Sequence, residues 1–196
     1  LGGDVNPNDH VNMGQSSNDV VRTAIQVSAA LTVEKQLIPA LNHFIETLKS
    51  KRNEIGHVVK TGRTHLMDAM PITFDQELGG WQFQLEQAKQ GIEQSLIGVK
   101  ALAQGGTAVG TGINADPRFA KAFADNLSQA TRLQFTSSEN FFYNLSSQDA
   151  LVALSGQLKT AAVAIMKISN DLRWMNSGPL AGLGEICLLY TSPSPR

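Results

Sequence analysis

The sequence predicts an all-α protein, a bundle of long helices. Three observations carry that reading. Apolar residues recur at alternating spacings of four and three over three separate stretches, turn-forming residues cluster between those stretches, and no period-two alternation competes over a comparable length. Spacing of that kind lays a stripe along one helix face, so each stretch is a helix that needs a partner along its whole length.

The first stripe runs Val20, Ala24, Val27, Leu31, Glu34, Ile38, Leu41, Ile45 and Leu48, and only Glu34 interrupts its apolar character. Pro39 lies inside it and removes one backbone donor. Because the stripe resumes in phase, a kink near Leu37 is expected rather than a stop. A second stripe runs Phe74, Leu78, Trp81, Leu85, Ala88, Ile92, Ser95, Val99 and Leu102, and a third runs Leu151, Leu154, Leu158, Ala161, Ile165, Ile168 and Leu172. Three helices of nearly thirty residues would each be roughly 40 Å long at about 1.5 Å per residue.

Between the stripes lie a turn-rich link from Gly56 to Pro71, a Gly-rich link from Gly105 to Pro117, a shorter amphipathic helix from Pro117 to about Leu133, and a polar link around Ser137 to Asn140. The apolar faces of the first two long helices are wider than one intramolecular seam needs. An oligomeric bundle and a monomeric bundle stand as alternatives.

Residues 1–17 read as the end of a preceding domain and the loop entering the bundle, 18–186 as the central bundle, cut short, and 187–196 as a tail foreign to it. The chain opens without Met into Asp4-Val5-Asn6-Pro7-Asn8-Asp9, which reads as a start in mid-protein. Cys187 to Arg196 share neither the periodicity nor the composition of what precedes, and resemble a translated sequencing-adapter read-through.

Sixteen Lys and Arg against seventeen Asp and Glu leave a formal charge of -1, so no basic field gathers phosphates or an anionic bilayer. Nucleic-acid and membrane partners are disfavoured. A single cysteine, Cys187, excludes an internal disulfide framework and a multi-cysteine metal cage, which suits the cytoplasm. No run of about 18 apolar residues is evident, and Leu1-Gly2-Gly3-Asp4 lacks the basic and apolar regions of a signal peptide.

Three links carry candidate chemistry. Gly14-Gln15-Ser16-Ser17-Asn18-Asp19 opens the first long helix, where unsatisfied N–H groups and the positive dipole end could hold a carboxylate. The same residues fit a capping box, with Ser16 and Asp19 exchanging bonds. In Thr61-Gly62-Arg63-Thr64-His65-Leu66-Met67, a lone His stands in a polar turn beside a hydroxyl, placed to pass protons near neutral pH or else to satisfy loop backbone. His10, His43 and His57 have no such neighbourhood. Gly110, Gly112 and Ala115 match the spacing of a dinucleotide fingerprint, but that motif needs a preceding strand in a βαβ unit and here follows a long helical stripe. A tight turn with close backbone approach is the better account.

In order and wording these pieces resemble the motifs of the class II fumarases, within the fumarase/aspartase superfamily. The resemblance runs from about Val5 to Ile186 through Asn8-Asp9-His10-Val11-Asn12, Gln15-Ser16-Ser17-Asn18-Asp19, Gly62-Arg63-Thr64-His65, Gly105 to Asn114, and Ser177-Gly178-Pro179 to Gly184-Glu185. It implies that Ser16, Ser17, Asn18 and Thr64 contact a substrate carboxylate and that His65 relays a proton. Asn6, Pro7, Asn8 and Asp9 fall on the family's second, peripheral dicarboxylate site, where this chain departs from the common pattern by carrying Asn6 in place of His and Gly3 in place of a nearby Arg. Aspartases resemble the chain too, but typically carry Gln at the position of His65.

The resemblance further implies reversible hydration of fumarate to (S)-malate, with no metal or organic cofactor, in a homotetramer whose sites are shared by several subunits. Links between long antiparallel helices lie at opposite ends of a bundle, so Ser16 to Asn18 and Thr64-His65 are expected to meet only across subunits. In the family the carbon acid is deprotonated by a Ser on a loop of Gly-Ser-Ser-Ile-Met-Pro-Gly-Lys-Val-Asn-Pro type. That motif does not occur in this sequence, so the chain as given is expected to be inactive. Two further readings stand beside this one: another superfamily lyase that releases fumarate, and a non-catalytic helical scaffold.

Overall fold

The structure, a computed structural model, describes residues 3–178 and 180–187. Three long helical stretches dominate it. The first comprises α1 (Ser17–Thr32), a π-helical turn (Val33–Leu37) and α2 (Ile38–Ile55); the others are α3 (Phe74–Val99) and α6 (Asp149–Met175). Shorter helices are α4 (Phe119–Thr131) and α5 (Phe141–Ser146). The expected foreign tail beyond Cys187 lies outside the described residues.

The link from Gly56 to Pro71 is not a plain turn. It folds as β1 (Val59–Thr64) and β2 (Met67–Thr73), antiparallel, with Thr64 opposite Met67 and Val59 opposite Thr73. β-branched Val59, Thr61, Ile72 and Thr73 favour the extended chain, while Gly62 and Pro71 disguise it as a loop. Neither disrupts a two-stranded ribbon: the register shifts between Thr61 and Arg63, and Pro71 stands where no third strand needs its missing donor. A second, minimal pairing joins β3 (Ala101–Leu102) to β4 (Thr136–Ser137) in parallel. A two-residue strand therefore precedes the Gly-rich link after all. Gly110 nonetheless lies eight residues beyond Leu102, not at a strand-to-helix turn.

Contacts gather the described residues into two compact units, Leu1–Pro39 with Gly91–Gln157, and Ala40–Gln90 with Leu158–Arg196. In the first unit, the buried residues of α1 and the π turn are Asp19, Thr23, Gln26, Ala30 and Val33. The predicted stripe of Val20, Ala24, Val27 and Leu31 is thus displaced by one residue. Val20, Val27 and Leu31 are half-buried, Ala24 is exposed, and so are Val21 and Ile25. Ile38, Leu41, Ile45 and Leu48 are buried as expected. The two sets are not in one helical phase, because the π turn places five positions between Val33 and Ile38 where an α-turn places four or three. This turn sits immediately before Pro39, at the predicted kink.

The reason for the displaced face is polar. Gln26 Nε2 donates to Ala101 O at 2.9 Å while its Oε1 accepts from the Ala103 N–H at 3.3 Å. Asn144 Nδ2 gives Ala101 O a second donor at 2.8 Å. A buried segment with little ladder of its own must find partners for its backbone, and side chains of α1 and α5 supply them. Gly106 is buried there with no room for a Cβ, which would come within 2.9 Å of both Leu145 and Phe141.

α3 follows its predicted stripe from Phe74 to Val99, except that Leu96 is buried in place of Ser95, and Leu102, the stripe's last residue, is buried in β3. α6 buries Leu154, Ala161 and Ile168 as predicted, and Ala164 and Met175 besides, but leaves Val152, Val163, Ile165, Met166 and Trp174 exposed. It is the one described helix long and apolar enough to cross a membrane by length and composition. Lys159, Lys167, Asp171 and Arg173 are interspersed among these exposed apolar residues.

Candidate active-site elements

Ser16, Ser17 and Asn18 begin α1. Ser16 is its N-cap, in extended backbone, and the capping box forms as one of the two readings expected: the Ser16 hydroxyl accepts from the first turn, including the Asn18 N–H at 3.2 Å, and Asp19 Oδ1 accepts from the Ser16 N–H at 2.9 Å. The cap does not exhaust Ser16, because a hydroxyl that accepts still has its proton to donate. Asn18 Nδ2 donates to Ala108 O at 2.9 Å, and Ser17 is exposed.

Asp19 is the centre of this cluster. It is 0% exposed, and its other oxygen accepts from the Gly105 N–H at 3.1 Å and the Thr107 N–H at 2.9 Å. Thr107 is held at φ 55°, an outlier for a β-branched residue, and its Oγ1 is buried without a hydrogen-bond partner. One carboxyl group therefore fixes both the N-terminus of α1 and the Gly-rich loop. The sequence marks Asp19 as a cap, and carries no local sign of its second role 86 and 88 positions away.

Thr64 and His65 belong to the second unit, where β1 presents them at the hairpin tip. His65 and Leu66 are the two residues between the paired Thr64 and Met67, at φ 54° and 62°. Two central residues in the left-handed region are the mark of a type I′ hairpin, a geometry that favours Asn-Gly. Here it is imposed on an imidazole and a leucine 76% exposed. Strain of that kind costs about 1–3 kcal/mol and persists only where the surrounding structure holds it. His65 lines a cleft of about 360 Å³ together with Arg63, Lys60, Lys167 and Trp174.

Beneath the tip, Arg63 Nη2 lies 2.6 Å from Glu185 Oε1 and Lys60 Nζ lies 2.9 Å from Glu185 Oε2, while Lys60 also contacts Glu77 on α3. Lys60 stands 5.5 Å from the Phe74 ring centroid as well. Burial opposes ionisation of Glu185, but the side-chain contacts from Arg63 and Lys60 outweigh it and hold the carboxyl below its ordinary range. Arg63 and Glu185 both fall within recognised motifs, yet nothing local in the sequence links positions 122 apart.

Asn6, Pro7, Asn8 and Asp9 form an exposed turn. Asn6 Oδ1 accepts from the Asn8 and Asp9 N–H groups at 2.8 and 3.1 Å, capping the π-helical turn Pro7–Val11, and the Asn6 N–H donates to His10 Nδ1 at 2.9 Å. The residue that replaces the family's usual His is occupied as a cap. Among the described residues, no three His, Cys, Asp or Glu side chains converge as a metal site would require.

A protein family described as Lyase matches residues 1–194. "Fumarate hydratase class II 2" of Pseudomonas aeruginosa is 59% identical over 193 residues, covering 98% of this chain and 42% of that protein. "Fumarate hydratase class II" of Xylella fastidiosa (strain Temecula1) is 55% identical over 191 residues, covering 97% of this chain and 40% of that protein. The chain thus spans about two fifths of the length of these relatives. Among solved structures, the class II fumarase of Schistosoma mansoni superposes with a TM-score of 0.88 at 43% identity, over 91% of this chain and 40% of that one. A fumarate lyase:delta crystallin from Brucella melitensis bound to cobalt superposes with a TM-score of 0.91 at 38% identity, over 98% and 42%. Matched across nearly its whole length, the chain belongs to the lyase family, and within it is similar to the class II fumarate hydratases.

Proposed function

We propose that the whole protein is a fumarate hydratase that interconverts fumarate and (S)-malate. The observation that carries this is His65, an exposed imidazole held in strained backbone at a hairpin tip and facing a cleft, in a chain 59% identical over 193 residues to a class II fumarate hydratase. A titratable ring at that tip serves addition of water, where a proton must be taken and returned near neutral pH.

In this reading Ser16, Ser17, Asn18 and Thr64 donate hydrogen bonds to a substrate carboxylate at the positive end of α1, without a full charge that would overstabilise the bound acid. Anti elimination of water from malate removes the proton beside one carboxylate, and the donors stabilise the dianionic aci-carboxylate that results. His65 relays the proton that leaves with hydroxide. The substrate is a small dicarboxylate, and no metal or organic cofactor takes part. Ser16 to Asn18 and Thr64-His65 belong to separate compact units. Their convergence is assigned to a homotetramer, supported by the exposed apolar residues of α1 and α6. The cytoplasm is the compartment this chemistry suits, and the peripheral site at Asn6 to Asp9 is not part of the mechanism.

The test is steady-state fumarate hydration by the full-length protein, run beside ammonia addition to fumarate. Hydration alone supports the proposal. Ammonia addition would move it to the aspartase-like lyases, and neither activity in a soluble tetramer would favour the scaffold.

A further inference from the structure

Glu185 has no place in the chemistry above, yet it joins three separate pieces of chain. Its own N–H donates to Met175 O at 2.9 Å, and the Ile186 N–H to the same oxygen at 3.2 Å, so the return after α6 is pinned to that helix's last turn. From there its side chain reaches β1 at two points, Arg63 and Lys60, two and five residues before His65. Lys60 is 5% exposed and Glu185 10%, so this is a mostly desolvated cluster in which losing the Glu185 carboxylate takes away the acidic partner of Arg63 and leaves Lys60 with Glu77 alone.

The hairpin has reason to need such an anchor. Its tip carries two non-glycine residues in left-handed backbone, and its register slips at Gly62, where a Cβ would come within 2.5 Å of Met70 O. A two-stranded ribbon with a strained tip is marginal by itself. Tertiary contacts must hold it, and between the slip and the tip Arg63 is the charged side chain that makes one.

We propose that Glu185 is a positioning residue: through Arg63 and Lys60 it holds the β1–β2 hairpin in the conformation that presents His65. The inference deepens the proposed function, because the strained tip is worth holding only if His65 is used. Its structural half stands apart from that function.

Amide hydrogen exchange on the full-length protein separates the two. In Glu185→Gln, amides of β1 and β2 should exchange about tenfold faster, while those of α4, in the other unit, stay unchanged. A double-mutant cycle with Arg63→Gln should show the two changes to be strongly non-additive. Should Glu185→Gln fail to fold, the unmodified protein gives the same answer: hairpin protection should fall selectively as pH drops below the ordinary carboxylate range. Uniform exchange across the molecule in either experiment would overturn the proposal, whatever reaction the enzyme catalyses. Given fumarase activity, the variant should lose about tenfold in kcat with KM within about twofold, since a displaced relay slows chemistry more than binding. Raised KM with unchanged kcat would instead make Glu185 part of substrate binding and sink the positioning role.

Discussion

The Thr107 N–H lies 2.9 Å from Asp19 Oδ2, the same oxygen that accepts from the Gly105 N–H, so a strained loop residue and a helix cap depend on one buried carboxyl. Asp19→Asn puts an amide donor against N–H groups at one of these positions. The expected cost is about 2–3 kcal/mol, read as a lower denaturation midpoint with unchanged m-value. A loss below about 0.5 kcal/mol would show that Asp19 is only a surface-type cap.

His65→Asn isolates the chemistry of the imidazole. Asn tolerates left-handed backbone, so the hairpin should survive and the variant should fold. Turnover of the full-length enzyme should drop by about 10²–10⁴ with far less change in dicarboxylate binding. Unchanged turnover with raised KM would reassign His65 to holding substrate.

Leu66→Gly tests the strain directly. The leucine is 76% exposed and buries little, while its left-handed backbone costs roughly 1–2 kcal/mol, partly offset by the greater unfolded-state freedom of glycine. The chain should become more stable by about 0.5 kcal/mol, measured by chemical denaturation. Destabilisation would mean that Leu66 packs against something in the assembled protein.

The folded pKa of Glu185 lies below its ordinary 4.5, so the clamp adds stability that is full above that value and is lost as pH falls through the folded pKa. The stability gap between wild type and Glu185→Gln should be constant near neutral pH and shrink in acid. A gap that widens below pH 4.5 would give the linkage the wrong sign. Asp116, held down to about 2 by Arg118, is an exposed local pair on a surface loop and should contribute no comparable gap.

Ile25→Lys on α1 and Met166→Lys on α6 place charge on exposed apolar surface and should leave each chain folded. In the full-length protein they should shift sedimentation toward smaller species. A tetramer indifferent to both would put its interface elsewhere.

Much of this was legible in the sequence because burial periodicity writes itself into composition. Phe74, Leu78, Trp81, Leu85 and Ile92 announce α3 and are its core. Ser16, Asn18, Thr64 and His65 stand out because helix starts and loops expose polar side chains in recognisable orders. What was not legible was long-range polar pairing. Asp19 and Gln26 look like part of a solvent face, and hydropathy places the stripe of α1 one residue out of phase, since it cannot register that their partners are backbone groups some 75 to 88 positions on. The hairpin was hidden by Gly62 and Pro71, whose turn propensity is real and is overridden only because the ribbon has no third strand.

The Gln26 amide faces Ala101 and Ala103 as a neighbouring strand would, one donor and one acceptor side by side. A designer seeking to improve α1 would notice three polar residues on its inward face and replace them with leucine, and most scoring by hydrophobicity would approve. The result would be a better helix and a worse protein, because the amides of Gly105 and Thr107 would be walled off from water with nothing to bond. In a saturation-mutagenesis map, positions 19 and 26 should therefore reject leucine as firmly as positions 85 and 92 reject aspartate.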